Sequence, residues 1–168
     1  QPGLALSWLA RGRITAATAA INRLLADAGG PVQRSWLLPA AVEILVSAGE
    51  VDQARHYSDE FSGIASAFGN AALQAMATYA ASQVDLLSGE PEAALHKARE
   101  SRRLWNALGS PYEAARARVL VARAMRELGD EDSATAELAI ARNGFAALDV
   151  APGVQGIDKL QGRVRPAG

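Results

Sequence analysis

One short pattern comes back four times along the chain. Gly12-Arg13-Ile14-Thr15-Ala16-Ala17, Gly49-Glu50-Val51-Asp52-Gln53-Ala54, Gly89-Glu90-Pro91-Glu92-Ala93-Ala94 and Gly129-Asp130-Glu131-Asp132-Ser133-Ala134 each open on Gly and carry Ala at the sixth place. The glycines stand 37, 40 and 40 residues apart. Gly69, Gly109 and Asp149 fall 20 residues after the last three of them, each behind an apolar end (Ala67-Phe68, Ala107-Leu108, Ala147-Leu148). A chain cut this regularly is built from small repeated units. A unit of that size cannot bury its apolar face alone, so neighbouring units must stack and share one core.

Between the cuts the apolar residues recur at helical spacing. Val84, Leu86 and Leu87 precede one turn, and Leu95, Ala98, Leu104, Trp105 and Leu108 follow it. The chain holds 37 alanines, 49% hydrophobic residues and only 5% aromatics, which favours helices that pack closely. Gly after each segment suits a left-handed C-terminal cap. Asn70 and Asp130 are good N-caps. Ser110-Pro111-Tyr112-Glu113 reads as a capping box with Pro at the first helical place. Nine helices are predicted: 3–11, 14–28, 33–48, 51–68, 71–88, 91–108, 111–128, 131–148 and a short 153–162. The last carries Val154, Ile157 and Leu160 as a stripe that would cap the final unit.

Several classes are excluded. No cysteine is present, so disulfides and thiolate metal sites are out. The net charge is −1, and no apolar run approaches the roughly 20 residues that span a bilayer. There is no phosphate-binding glycine loop, no His-Glu-x-x-His and no Gly-x-Ser-x-Gly, so no catalytic residues, cofactor or metal are assigned. Gln1-Pro2-Gly3 lacks a basic or apolar leader and reads as the cut end of a larger protein.

Helix pairs joined by a Gly-acidic-x-acidic-x-Ala turn resemble tetratricopeptide repeats. In that motif the turn Gly is followed by a small residue where two helices touch; Ala17, Ala54, Ala94 and Ala134 hold that place. A second small position lies seven residues before the turn Gly. Ala5, Ser82 and Ala122 match it and Val42 departs. The period of about 40 is longer than the usual repeat, and the motif's large aromatic and closing Pro are mostly missing. The resemblance implies an all-α, tetratricopeptide-like superhelix: a right-handed α-solenoid of about four antiparallel pairs over 1–162, with a short C-terminal capping helix.

The run 104–118 (Leu-Trp-Asn-Ala-Leu-Gly-Ser-Pro-Tyr-Glu-Ala-Ala-Arg-Ala-Arg) and the run 126–134 (Arg-Glu-Leu-Gly-Asp-Glu-Asp-Ser-Ala) resemble segments of bacterial LuxR-type transcriptional regulators. There, such repeats precede a helix-turn-helix domain, and 163–168 is similar to the linker into it. The resemblance implies a cytoplasmic interaction or effector-sensing region. Its partner would be a protein, a peptide, a small effector or another copy of itself, and DNA would be met only through the adjoining domain. A plain protein-binding scaffold unrelated to transcription, or a small-molecule sensor, would carry the same repeat.

In the repeat architecture the first helix of each pair lines a concave groove. That register puts Trp36, Glu43, Met76, Tyr79, Gln83, Arg116, Arg123 and Arg126 towards it. Trp, Tyr, Met and Arg together suit peptide or protein recognition. Trp8, Trp36 and Trp105 stand among apolar neighbours, and core packing is the ordinary role of such residues. Lys97, Arg99, Arg102, Arg103, Arg116, Arg118, Arg123 and Arg126 meet only Glu100 and Glu113 between 97 and 126. This basic stretch reads as solvated or ion-paired surface. His56 and His96, 40 residues apart, read as surface residues in register.

Overall fold

The computed structural model describes Ala5, residues 12–148, Ile157, Leu160 and Gln161. Among these residues the chain is all-α. Seven helices run α1 (Ile14–Asp27), α2 (Pro31–Ala48), α3 (Val51–Phe68), α4 (Ala71–Leu87), α5 (Pro91–Ala107), α6 (Pro111–Glu127) and α7 (Glu131–Ala147). Each falls within two residues of its sequence prediction. The expected helices over 3–11 and 153–162 lie outside the described residues, apart from Ala5, Ile157 and Leu160, which are helical. No helix is long and apolar enough to cross a membrane among the described residues.

The turns explain the repeat. At Gly49, Gly89, Gly109 and Gly129 the residue after Gly donates its N–H to a carbonyl five residues back: Glu50 to Leu45, Glu90 to Asp85, Ser110 to Trp105 and Asp130 to Met125, all at 2.9–3.0 Å. This is the Schellman closure, which needs one left-handed residue. Gly89 supplies it at φ +77, and a Cβ there would meet nothing within 4 Å, so the demand is for the backbone angle and not for space. Five residues later the helices cross. Ala17, Ala54, Ala94 and Ala134 are all fully buried at that crossing.

The helix starts are mixed. Asn70 Oδ1 accepts the Leu73 N–H at 3.0 Å, and Asp130 Oδ1 accepts the Ser133 N–H at 3.1 Å. The capping box at 110–113 does not form. The Ser110 side chain makes no cap bond, and Glu113 turns instead to Arg116 on the next turn of the helix. The charge-assisted pair outcompetes a neutral backbone contact.

Consecutive helices pack along the whole array. In addition α2 touches α4, and α4 touches α6, whereas α3, α5 and α7 have no comparable mutual packing. The even helices therefore form an inner layer and the odd ones an outer layer, which is the arrangement of a helical-repeat solenoid. The outer helices bury one stripe each, in one register: Ala54-Ser58-Phe61-Ala65, Ala94-Ala98-Ser101-Trp105 and Ala134-Leu138-Ala141-Phe145. Each stripe holds a single aromatic ring. It sits at the third place in α3 and the fourth in α5 and α7, so ring volume is kept while its position shifts by one turn. Two serines bond across the stack. Ser82 Oγ donates to the Ala94 carbonyl at 2.8 Å and Ser101 Oγ to the Ala75 carbonyl at 2.9 Å, both buried.

Charge pairing stitches the units together on both layers. Arg34 holds Glu60 through two nitrogens and also donates to the Leu25 carbonyl at 2.9 Å. The Arg34 hydrogen bond keeps the Glu60 carboxyl below the usual carboxylate range. The basic stretch is largely spent in this way. Lys97 pairs with Asp85, Arg102 and Arg118 share Glu137, Arg103 pairs with Glu100, Arg116 with Glu113 and Glu43, and Arg126 with Glu131. Among the described residues only Arg99 and Arg123 of the eight have no such pair.

Candidate recognition groove

The inner faces of α2, α4 and α6 enclose three adjoining cavities, and Glu43 lines all three. The largest, about 610 Å³, opens between Val32, Trp36, Pro39, Leu73 and Met76. A smaller one of about 120 Å³ continues inward over Tyr79, Gln83, Trp105 and Arg116. The third, about 570 Å³, runs past Arg123, Arg126, Glu127 and Leu160. All eight residues expected in the groove line these cavities. The two large volumes fall in the range of small-ligand and peptide sites.

The three tryptophans separate. Trp105 is core, packed with Ala75, Ala114 and Ala117. Trp36 corrects the expectation of core packing. It is 77% exposed, on the first exposed turns of α2 at the groove mouth, with Val32 exposed beside it. Trp8 lies outside the described residues. The exposure of Trp36 leaves an indole open to water on the inner layer.

The centre of the groove is polar. Arg116 donates to Glu113 Oε2 at 3.2 Å and lies 3.5 Å from Glu43 Oε1. Its guanidinium carbon stands 4.9 Å from the Tyr79 ring centroid, a cation–π stack. Burial alone would pull the Arg116 guanidinium down, but Tyr79, Glu43 and Glu113 outweigh it and hold it above its ordinary value. Burial pushes the Tyr79 phenol up, so at neutral pH the site carries a neutral Tyr and a charged Arg. Among the described residues neither the Tyr79 hydroxyl nor the Gln83 amide has a hydrogen-bond partner.

Pro39 was not singled out by the sequence pattern, yet it shapes the floor. It sits inside α2. Proline has no N–H, so the Ser35 carbonyl loses its usual helical donor. Ser35 and Pro39 both line the large cavity, and the Ser35 hydroxyl is turned back to the Val32 carbonyl at 2.7 Å. A lone internal Pro in a helical run was the available signal.

The last described residues close the other end. Ile157 is buried with Ala115, Ala122 and Leu138, and the Leu160 carbonyl accepts from Arg126 at 3.1 Å. His56 and His96 are exposed on the outer helices α3 and α5. No three His, Asp or Glu side chains gather as a metal site would need, among the described residues. No protein-family model matches the chain, and no curated protein matches it, so its functional reading starts from this groove and from the resemblances in its sequence.

Proposed function

We propose that the inner face is a recognition groove for an extended segment of a partner protein. The observation that carries this reading is Trp36, held open at the groove mouth above the Met76 wall. Aromatic anchors in partly dry pockets dominate peptide and protein recognition. Beyond it lie unspent hydrogen-bonding groups on Tyr79 and Gln83, which would fix a bound backbone. A displayed library of random peptides supplies the test. Peptides selected on the intact chain should bind Trp36→Ala at least about ten-fold more weakly, with unchanged helicity. Equal affinity for the variant would remove the groove as the docking surface.

The LuxR-type resemblance of 104–118 and 126–134 extends the proposal. In this reading the chain is the cytoplasmic repeat region of a transcriptional regulator. Groove occupancy would then shift the placement or pairing of an adjoining DNA-binding domain, which requires the ligand to prefer one arrangement. No chemistry is assigned to the chain. The check is the coding sequence immediately beyond Gly168. A helix-turn-helix there supports the regulatory link; a stop codon or an unrelated domain removes it and leaves a binding scaffold.

A further inference from the structure

Resting on the groove reading above, we infer that the Glu43–Arg116 ion pair is a clasp that draws α2 and α6 together across α4, and that a segment running the length of the groove must open it. Consecutive inner helices pack on each other, but α2 and α6 share no helix packing of that kind. Arg116 spans the gap from α6. Its Nη2 lies 3.5 Å from Glu43 Oε1 on α2, and its guanidinium lies over the Tyr79 ring of α4 between them. The pair also stands where the two ends of the groove meet. Glu43 lines all three cavities, and Arg116 lines the two on the Trp36 side. Arg123, two helical turns further along α6, lines the cavity beyond. A segment that fills both large cavities therefore crosses the line from Glu43 to Arg116.

The contact can open at low cost. At 3.5 Å it is longer than a good hydrogen bond, and its two side chains are 28% and 36% exposed. Pairs open to water in this way hold weakly. Opening strands neither charge. Arg116 keeps Glu113 through its other terminal nitrogen, Nη1 at 3.2 Å, and keeps the Tyr79 ring. Glu43 is already part-exposed and gains hydration. Asp85 has no such freedom, because parting its pairs would leave a buried carboxylate alone. The helix α2 also has a weak point beside the clasp. Pro39 stands one turn before Glu43 and removes a backbone hydrogen bond, which is where a helix bends. Closed and open grooves thus differ by one weak contact, and a bound segment has only to prefer the open one.

Spin-label distances test the clasp. The chain has no cysteine, so Glu50→Cys and Glu127→Cys carry the only two labels, at exposed sites just past the end of α2 and at the end of α6. With no peptide present, Glu43→Gln should lengthen the label distance by at least about 2 Å. Salt at about 1 M, which shortens the screening length to about 3 Å, should lengthen it in the parent. Glu100→Gln, which breaks a pair within α5, should leave it unchanged. Peptides selected on the intact chain and weakened by both Trp36→Ala and Arg123→Ala lie in both large cavities. Such a peptide should move the parent to the distance seen in Glu43→Gln and move that variant no further. A distance unchanged in Glu43→Gln would overturn the clasp and leave the groove standing. A distance unchanged by bound peptide would make the pair a fixed strut and overturn its opening alone. Peptides weakened by Trp36→Ala only would stop short of the pair, with the same consequence. Selection of no peptide at all would overturn the opening and the groove reading together.

Discussion

Phe61→Ala should lower the unfolding free energy by about 3–5 kcal/mol, the range for removing a fully buried aromatic ring. Phe61 is 0% exposed and belongs to the core shared by α1 to α4, with Leu38, Leu45, Ala65, Ala77 and Val84. Its neighbours on the buried stripe of α3, Ala54, Ser58 and Ala65, are all small. The ring is the only aromatic that α3 contributes to its buried stripe. Urea unfolding would report the loss as a lower midpoint at nearly unchanged slope. The stacked architecture makes a sharper claim as well. Units in such an array communicate through nearest neighbours. Ala115, Leu138, Ala141 and Phe145 form a separate cluster between α6 and α7. Amide exchange should therefore accelerate most in α2, α3 and α4 and least in α7. A loss under 1 kcal/mol, or acceleration spread evenly over the chain, would contradict the packing described.

The parts of this fold that were legible in the sequence are those set by the backbone. A Schellman turn demands a left-handed residue, so Gly49, Gly89 and Gly129 announce themselves. A close helix crossing demands a small side chain, so Ala54, Ala94 and Ala134 follow at a fixed distance. Those two demands locate the inner helices, and the inner helices locate the groove residues. Side-chain competition was harder to read. Ser110 and Glu113 have the spacing of a capping box, but spacing does not reveal that Arg116 waits one turn away for the same carboxylate. Trp36 and Trp105 both stand in apolar company along the chain. The repeat register separates them, putting Trp36 on an inner helix towards the groove, and the stacking leaves Trp36 open and Trp105 buried. Asp85 looks like an ordinary helix-end acid, yet it is enclosed by cations from both adjoining outer helices.

That enclosure leads to the second large effect. Replacing both Arg55 and Lys97 by Met should cost about 3–5 kcal/mol, because it strands a carboxylate that has left water. Asp85 is 1% exposed, while the Arg55 and Lys97 side chains are each 37% exposed. The anion has therefore paid the desolvation, and the cations have kept much of their hydration. Arg55 reaches Asp85 Oδ1 at 3.0 Å from α3, and Lys97 bonds the other oxygen from α5. The carboxylate is thus held by the two outer helices that flank α4. The repeat register shows what the position tolerates otherwise. Forty residues earlier the counterpart of Asp85 is Leu45, in the apolar core, and that of Lys97 is Tyr57, which packs against it. An apolar contact and an ionic one thus occupy the same place in successive units. Adding Asp85→Leu to the double variant should then restore most of the lost stability, since it removes the stranded charge and fills the space with the side chain the previous unit uses. Thermal or urea unfolding of the double and triple variants decides it. If the triple variant is no more stable than the double, the loss lies in the methylene packing of Arg55 and Lys97 and not in the buried charge.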